Sequence, residues 1–274
     1  MDNILICPLC GKKLLNEGKS LFCQGERRHC FDVAASGYVN LCPGRHAGGD
    51  PKEAVRSRTD FLSKGYYKPI SDAVCEIVDR VSMGGSVVDA GCGEGYYSNN
   101  IARSTGASVY GFDLSKPAVD AAAKAAKREN IINSSFFVSG IYKLPIAGGS
   151  VDTVANIFAP CAENEFARVL KYGGRLVLVS SGKNHLMGLK RAIYDEVYPN
   201  EERADMPKNM TEKEKLRLTY EIEPDNEKDI KNLFSMTPYS YRTSEKDYKK
   251  LLSLDKIRTE VDVEIAVYEK DTDL

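Results

Sequence analysis

The chain has 274 residues, of which 42% are apolar and 28% charged, the composition of an ordinary globular protein, which excludes disorder and fibrous or low-complexity sequence. Lys and Arg number 38 against 39 Asp and Glu, a formal net charge of −1, so no global electrostatic footprint points to nucleic acid or an anionic membrane. No window approaches the roughly 18 consecutive apolar residues of a membrane helix, and MDNILICPLC does not read as a signal peptide. The expectation is a cytoplasmic protein with no membrane partner, whose eight cysteines are thiols serving as ligands or core residues rather than disulfides.

Cys7, Cys10, Cys23 and Cys30 crowd into a stretch too short to bury a core of its own, which needs a metal or a partner domain to hold its shape. Cys7-x2-Cys10, then Cys23 and His29, supply the thiolates and imidazole that tetrahedral structural zinc prefers. Cys30 adjoins His29, so the fourth ligand is one of these two. Residues 11–58 carry nine Lys/Arg against five Asp/Glu, a local basic excess. Pro43-Gly44 and Gly48-Gly49-Asp50-Pro51 are turn and breaker residues. The expected division is a zinc-binding module over 1–42, a linker and helix over 43–69, and an α/β domain over 70–274.

After Pro69, the apolar residues Ile70, Val74, Ile77, Val78 and Val81 recur at helical spacing, up to Gly84-Gly85. Strands are then predicted at 86–89, 107–112, 135–138, 151–157 and 175–180, and helices at 96–103, 116–128 and 163–170. That alternation predicts a parallel sheet with helices on both faces. Residues 200–235 are charged and read as helices and loops, and strands at 238–242 and 261–268 close the chain.

The segment Val87-Val88-Asp89-Ala90-Gly91-Cys92-Gly93-Glu94-Gly95-Tyr96-Tyr97 runs a strand into a glycine-rich turn at a helix start, where backbone can approach a nucleotide-like ligand. The spacing is GxGxG, not the dinucleotide GxGxxG, which disfavours a nicotinamide oxidoreductase. At the end of the next strand, Asp113 can accept hydrogen bonds from both ribose hydroxyls of an adenosine.

This set resembles the Rossmann-like class I S-adenosylmethionine-dependent methyltransferases. By that resemblance Asp89, Gly91, Gly93, Glu94 and Gly95 belong to the cofactor loop beside the methionine moiety, Asp113 and Leu114 lie at the ribose, and Ile141 lies near the adenine. The resemblance narrows on Cys7-Pro8-Leu9-Cys10, His29-x-Phe31-Asp32, Gly37-Tyr38-Val39-Asn40-Leu41, Arg58-x2-Phe61-Leu62-x2-Gly65-x-Tyr67-x-Pro69, Ala159-Pro160-Cys161, His185-Leu186-Met187-x-Leu189-Lys190 and Met236-Thr237-Pro238. Taken in order, these are similar to the RlmA/TlrB family.

That resemblance implies a 23S ribosomal RNA (guanine-N1)-methyltransferase that acts on a hairpin loop, uses S-adenosylmethionine, carries one structural zinc per chain and assembles as a homodimer. It places Tyr67 and His185 at the cofactor; an aromatic ring can pack on adenosine and an imidazole can bond the carboxylate. One departure is that Cys23 and His29 are separated by five residues where the family usually has three.

Guanine N1 must lose its proton, and holding it in line with the methyl carbon is worth up to about 7–11 kcal/mol in favourable cases. No catalytic base stands out. Asn156, Phe158, Ala159 and Pro160, which follow the fourth strand of the domain, are the substrate-pocket candidates: Asn156 and backbone carbonyls for the guanine edge, Phe158 for stacking. Lys12, Lys13, Lys19, Arg27, Arg28, Arg45 and Arg56 are the candidates for RNA phosphates. The alternatives are a methyltransferase of another RNA or small-molecule acceptor and a non-catalytic zinc-dependent RNA-binding protein.

Overall fold

The computed structural model describes residues 4–44, 48–201 and 207–271. The N-terminal segment forms an antiparallel sheet, β1 (Leu14–Asn16), β2 (Ser20–Cys23) and β3 (Cys30–Asp32), in the order β1-β2-β3. A two-residue strand follows, β4 (Val39–Asn40). Helix α1 (Lys52–Leu62) leads through Tyr67 into α2 (Lys68–Ser82). The apolar stripe read from the sequence is the buried face of α2, with Ile70, Val74, Ile77 and Val78 all buried. Met83 ends the helix in the left-handed conformation, just before Gly84-Gly85.

Beyond α2 the chain alternates β5 (Ser86–Ala90), α3 (Tyr96–Ser104), β6 (Ser108–Asp113), α4 (Lys116–Arg128), β7 (Ser134–Val138), β8 (Val151–Ile157), α5 (Glu163–Val169) and β9 (Leu170–Ser181). Then come α6 (Met187–Ile193), β10 (Met210–Ile222), α7 (Glu227–Ser235), a 3-10 turn (Pro238–Tyr241), α8 (Glu245–Leu252) and β11 (Thr259–Lys270). One eight-stranded sheet runs β10-β11-β9-β8-β5-β6-β7-β4. Strands from β4 to β9 pair in parallel, while β11 runs antiparallel to both β9 and β10. All five residues of β5 are buried, as a central strand covered on both faces requires.

Alternate side chains of the strands enter cores on the two faces of the sheet. Val87, Val109, Ala155, Val177 and Val263 face α2, α3, α6 and α7. Val88, Tyr110, Phe112, Val154 and Leu176 face the other way, where α5 supplies Phe166 and the N-terminal segment supplies Ile4, Leu5, Leu14 and Leu21. The expected helices on both faces are thus replaced on one side largely by the cysteine-rich segment, whose short strands bury their apolar residues against the sheet. Backbone bonds stitch this join: Ile6 N–H donates to Pro145 O at 2.9 Å and Ala147 N–H to Ile4 O at 2.9 Å. β4 adds itself to the edge strand β7.

Two expectations fail. Residues 210–222 are a strand, not helix and loop. Their burial alternates only weakly because β10 is an edge strand with most side chains in water. Its charges are met across the pairing by β11: Arg217 with Asp262 at 2.8 Å, Lys215 with Glu264 at 2.9 Å, and Lys213 with Glu269 at 3.1 Å. Conversely, the strand expected at 238–242 is a 3-10 turn. Pro238 fixes φ and lacks a donor, and the segment satisfies itself locally, with Ser240 N–H on Thr237 O and Arg242 N–H on Tyr239 O. The strand pair that completes the sheet is therefore β10 with β11.

Candidate active site and metal centre

Strand order reverses on either side of β5, which opens a crevice beyond the carboxyl ends of β5, β6 and β8. A cavity of about 790 Å³ occupies that position, within the range of small-molecule sites. Of the sequence candidates, Tyr67, Gly91, Gly93, Glu94, Asp113, Leu114, Ile141, His185, Phe158, Ala159 and Pro160 line it.

Three candidates do not. Asp89 is 1% exposed beneath the glycine loop, accepting from Ser98 Oγ at 2.5 Å; burial pushes its carboxyl up to about 7, against that hydrogen bond. Gly95 starts α3 at φ +79°, and a Cβ there would lie 2.6 Å from the Ala122 Cβ, so it serves helix packing rather than ligand contact. Asn156 is wholly buried. Its Nδ2 donates to Ala90 O at 2.8 Å and Pro160 O at 3.2 Å, which ties the 158–160 loop to β5 and uses both of its N–H donors, while Oδ1 is buried without a partner, away from the cavity lining.

The glycine loop is held open by backbone bonds. Gly91 and Cys92 N–H both donate to Phe112 O, at 2.8 and 3.0 Å. Gly91 sits at φ +89°, with a built Cβ only 2.5 Å from Ala159 Cβ, so the bare backbone leaves room for the neighbouring loop. Asp113 accepts from Gly93 N–H at 3.0 Å on one oxygen and from Ser115 N–H at 2.7 Å on the other. Each carboxylate oxygen has a further lone pair, so the pre-oriented group can still accept from a ribose diol. Burial pushes Asp113 up, against those two N–H donors and Arg58.

In the same cavity, Tyr67, Phe158 and His185 form an aromatic cluster. The Phe158 ring stacks on His185 with centroids 5.8 Å apart, and Phe158 adopts φ +51°, which turns its ring, 41% exposed, into the cavity mouth. His185 Nδ1 accepts from Asp262 N–H at 3.2 Å, so the neutral ring carries its proton on Nε2, 3.3 Å from Tyr67 Oη. Burial pulls His185 down to about 4, with Asp262 opposing and Lys190 assisting.

Several lining residues carried no role in the sequence reading: Asp50, Arg58, Tyr97 and the Met236–Tyr239 segment. Arg58 and Met236-Thr237-Pro238 stood within quoted motifs, which was the available signal. The Tyr97 hydroxyl is buried with no partner, an orphan that a bound cofactor would satisfy.

The N-terminal donors converge too. Ligand atoms of Cys7, Cys10, Cys23 and His29 all lie within 4.8 Å of one another. The separations are 3.8 Å for Cys10 Sγ to Cys23 Sγ, and 3.5 and 3.4 Å from His29 Nδ1 to Cys7 Sγ and Cys23 Sγ. A tetrahedron with zinc–sulfur bonds of about 2.3 Å has edges of roughly 3.8 Å, shorter to nitrogen, so the cluster has the size of a zinc site. Cys30 is exposed and turns its thiol to Asp32. Lys12, Lys13, Lys19, Arg27, Arg28 and Arg56 are exposed, with Arg28 paired to Glu17; Arg45 lies outside the described residues.

Among known proteins, a methyltransferase-domain family model matches residues 82–249, and the RlmA N-terminal zinc-ribbon model matches residues 5–48. This chain belongs to the RlmA family of methyltransferases. The 23S rRNA (guanine(748)-N(1))-methyltransferase of Streptomyces fradiae is 34% identical over 196 residues, 69% of this chain and 67% of that protein. YxjB of Bacillus subtilis (strain 168) is 28% identical over 275 residues, 95% of both chains. A Micromonospora griseorubida relative is 33% identical over 207 residues, 68% of each. The family thus joins the fold to a zinc ribbon and an S-adenosylmethionine-dependent methyltransferase domain.

Proposed function

We propose that this enzyme methylates N1 of a guanine in a hairpin loop of 23S ribosomal RNA. The observation that carries the reading is the pairing of a class I cofactor crevice with the RlmA zinc ribbon on one chain, in a protein 34% identical to a 23S rRNA (guanine-N1)-methyltransferase.

S-adenosylmethionine, when bound, supplies a methyl group on a sulfonium. Of the residues that line the cavity, Asp113 and Leu114 would hold its ribose, Gly91, Gly93 and Glu94 would border its methionine moiety, Ile141 would lie by the adenine, and Tyr67 would pack from the aromatic cluster. Asp89 and Gly95 act from beneath, Asp89 through its bond to Ser98 of α3 and Gly95 by letting α3 pack against α4. Phe158 offers its face to the guanine, as bases taken out of a stack are held, and Ala159 and Pro160 present backbone at its edge. Asn156 contributes by locking that loop. His185 carries its proton on Nε2 and is a donor there, so it orients Tyr67 rather than taking the N1 proton. Positioning is the main acceleration this chain provides.

One zinc per chain on Cys7, Cys10, Cys23 and His29 stiffens the ribbon, and the exposed Lys12, Lys13, Lys19, Arg27, Arg28 and Arg56 meet hairpin phosphates. The homodimer and the cytoplasmic location rest on the family resemblance; among the described residues no helix is long and apolar enough to cross a membrane. Primer extension tests the acceptor, because N1 methylation removes a Watson–Crick donor. Treated 23S RNA should stop reverse transcriptase at one hairpin guanine, and RNA that reads through unchanged would exclude this acceptor.

A further inference from the structure

The charges of the crevice are uneven. Asp50, Glu94 and Asp113 line it, and Arg58 is the one Lys or Arg among the described lining residues. Arg58 belongs to α1, outside the sheet, yet reaches the glycine loop. Its Nη1 stands 3.5 Å from Glu94 Oε2 and would be 3.3 Å from a Cβ on Gly93, while its Nη2 bonds Asp50. The side chain is only 25% exposed, a costly place for a charge without close partners. A guanidinium has five N–H donors in a rigid fork. These contacts engage part of it, and the 3.5 Å approach to Glu94 is at the outer limit of a hydrogen bond.

We propose that Arg58 binds the carboxylate of the cofactor's methionine moiety. This rests on reading the cavity as the S-adenosylmethionine site. The match runs charge by charge: the cofactor carries one carboxylate beside an ammonium and a sulfonium, and the crevice carries one guanidinium among carboxylates. Glu94 and Asp113 repel that group. His185, whose ring could bond a carboxylate, directs its Nε2 proton to Tyr67. Arg58 remains, in a planar geometry suited to two-point carboxylate recognition, beside the loop whose glycines admit the methionine end.

The test is isothermal titration of the full-length, zinc-loaded protein with three probes: S-adenosylmethionine, its decarboxylated analogue, and 5′-methylthioadenosine, which lacks the whole amino acid group. Wild type should prefer S-adenosylmethionine to the decarboxylated analogue by roughly tenfold or more, the range of a charge-assisted hydrogen bond. Arg58→Met should erase that preference and leave methylthioadenosine binding within about twofold. Arg58→Lys, which keeps the charge without the fork, should retain a reduced preference and gives the readout if the methionine variant does not fold. A folded Arg58→Met that keeps the full preference, or loses all three probes equally, overturns the assignment and makes Arg58 a strut between Asp50 and Glu94. A wild type that binds none of the probes removes the cofactor reading itself.

Discussion

Replacing Gly91 by alanine isolates two costs that the structure keeps apart. The first is conformational: φ is +89°, and an L-residue in left-handed backbone costs about 1–2 kcal/mol. The second is steric. The new Cβ would stand 2.5 Å from Ala159 Cβ, well inside van der Waals contact, and the 158–160 loop cannot simply retreat because Asn156 holds Pro160 O. Overpacking of this kind costs about 1–3 kcal/mol, so Gly91→Ala should lose about 2–5 kcal/mol in urea unfolding. Ala159→Gly alone should cost under about 1 kcal/mol. Combined with Gly91→Ala, it removes the clash and leaves the backbone cost, so the double variant should recover about 1–3 kcal/mol relative to additivity. A coupling energy below about 0.5 kcal/mol would show that the glycine loop does not meet the substrate loop as described.

Other predictions follow from single contacts. Cys30→Ser should release zinc to a chromogenic chelator no faster than wild type, whereas His29→Ala should release it readily; the reverse order would move the fourth ligand to Cys30. Asn156→Asp sets a carboxylate against the Ala90 and Pro160 carbonyls and should cost at least about 1–3 kcal/mol by urea unfolding, with turnover falling more than cofactor affinity. His185 sits below its ordinary value, at about 4, so the unfolded chain binds the extra proton. Its contribution is fully present above about pH 6.5 and is lost as pH falls toward 4, by about 3 kcal/mol at most. Asp89, raised to about 7, works in the opposite sense over much of that window. Wild type should therefore lose stability relative to His185→Phe between pH 7 and 4.5; parallel profiles for the two proteins would contradict the buried neutral imidazole.

The parallel core of the sheet was legible because β5, β6 and β8 bury both faces and show as short stretches rich in apolar and β-branched residues, each preceded by a glycine turn. Asp113 and the glycine loop were legible for the same reason, as local sequence at strand ends. β10 was not: an edge strand wet on most sides carries Lys, Glu and Arg, and only its pairing with β11 makes them compatible with a sheet. The role of Asn156 was misread since its residue type suits a base edge equally well, and only its two carbonyl partners decide the matter. Arg58 and Asp50 reach the crevice from α1 and the preceding linker, a long-range approach that no local spacing encodes. The zinc donors were visible as residue types, and the choice of His29 over Cys30 needed the turn that points one inward and the other toward Asp32.

The most direct measurement incubates the zinc-loaded protein with isotopically labelled S-adenosylmethionine and 23S RNA lacking the modification, then separates the nucleosides by mass spectrometry. The crevice, the aromatic platform at Phe158 and the ribbon together predict label in 1-methylguanosine, at about one per RNA, and its loss with Asp113→Ala. Label in a different nucleoside, or none in RNA while the protein binds the cofactor, would contradict guanine N1 as the acceptor.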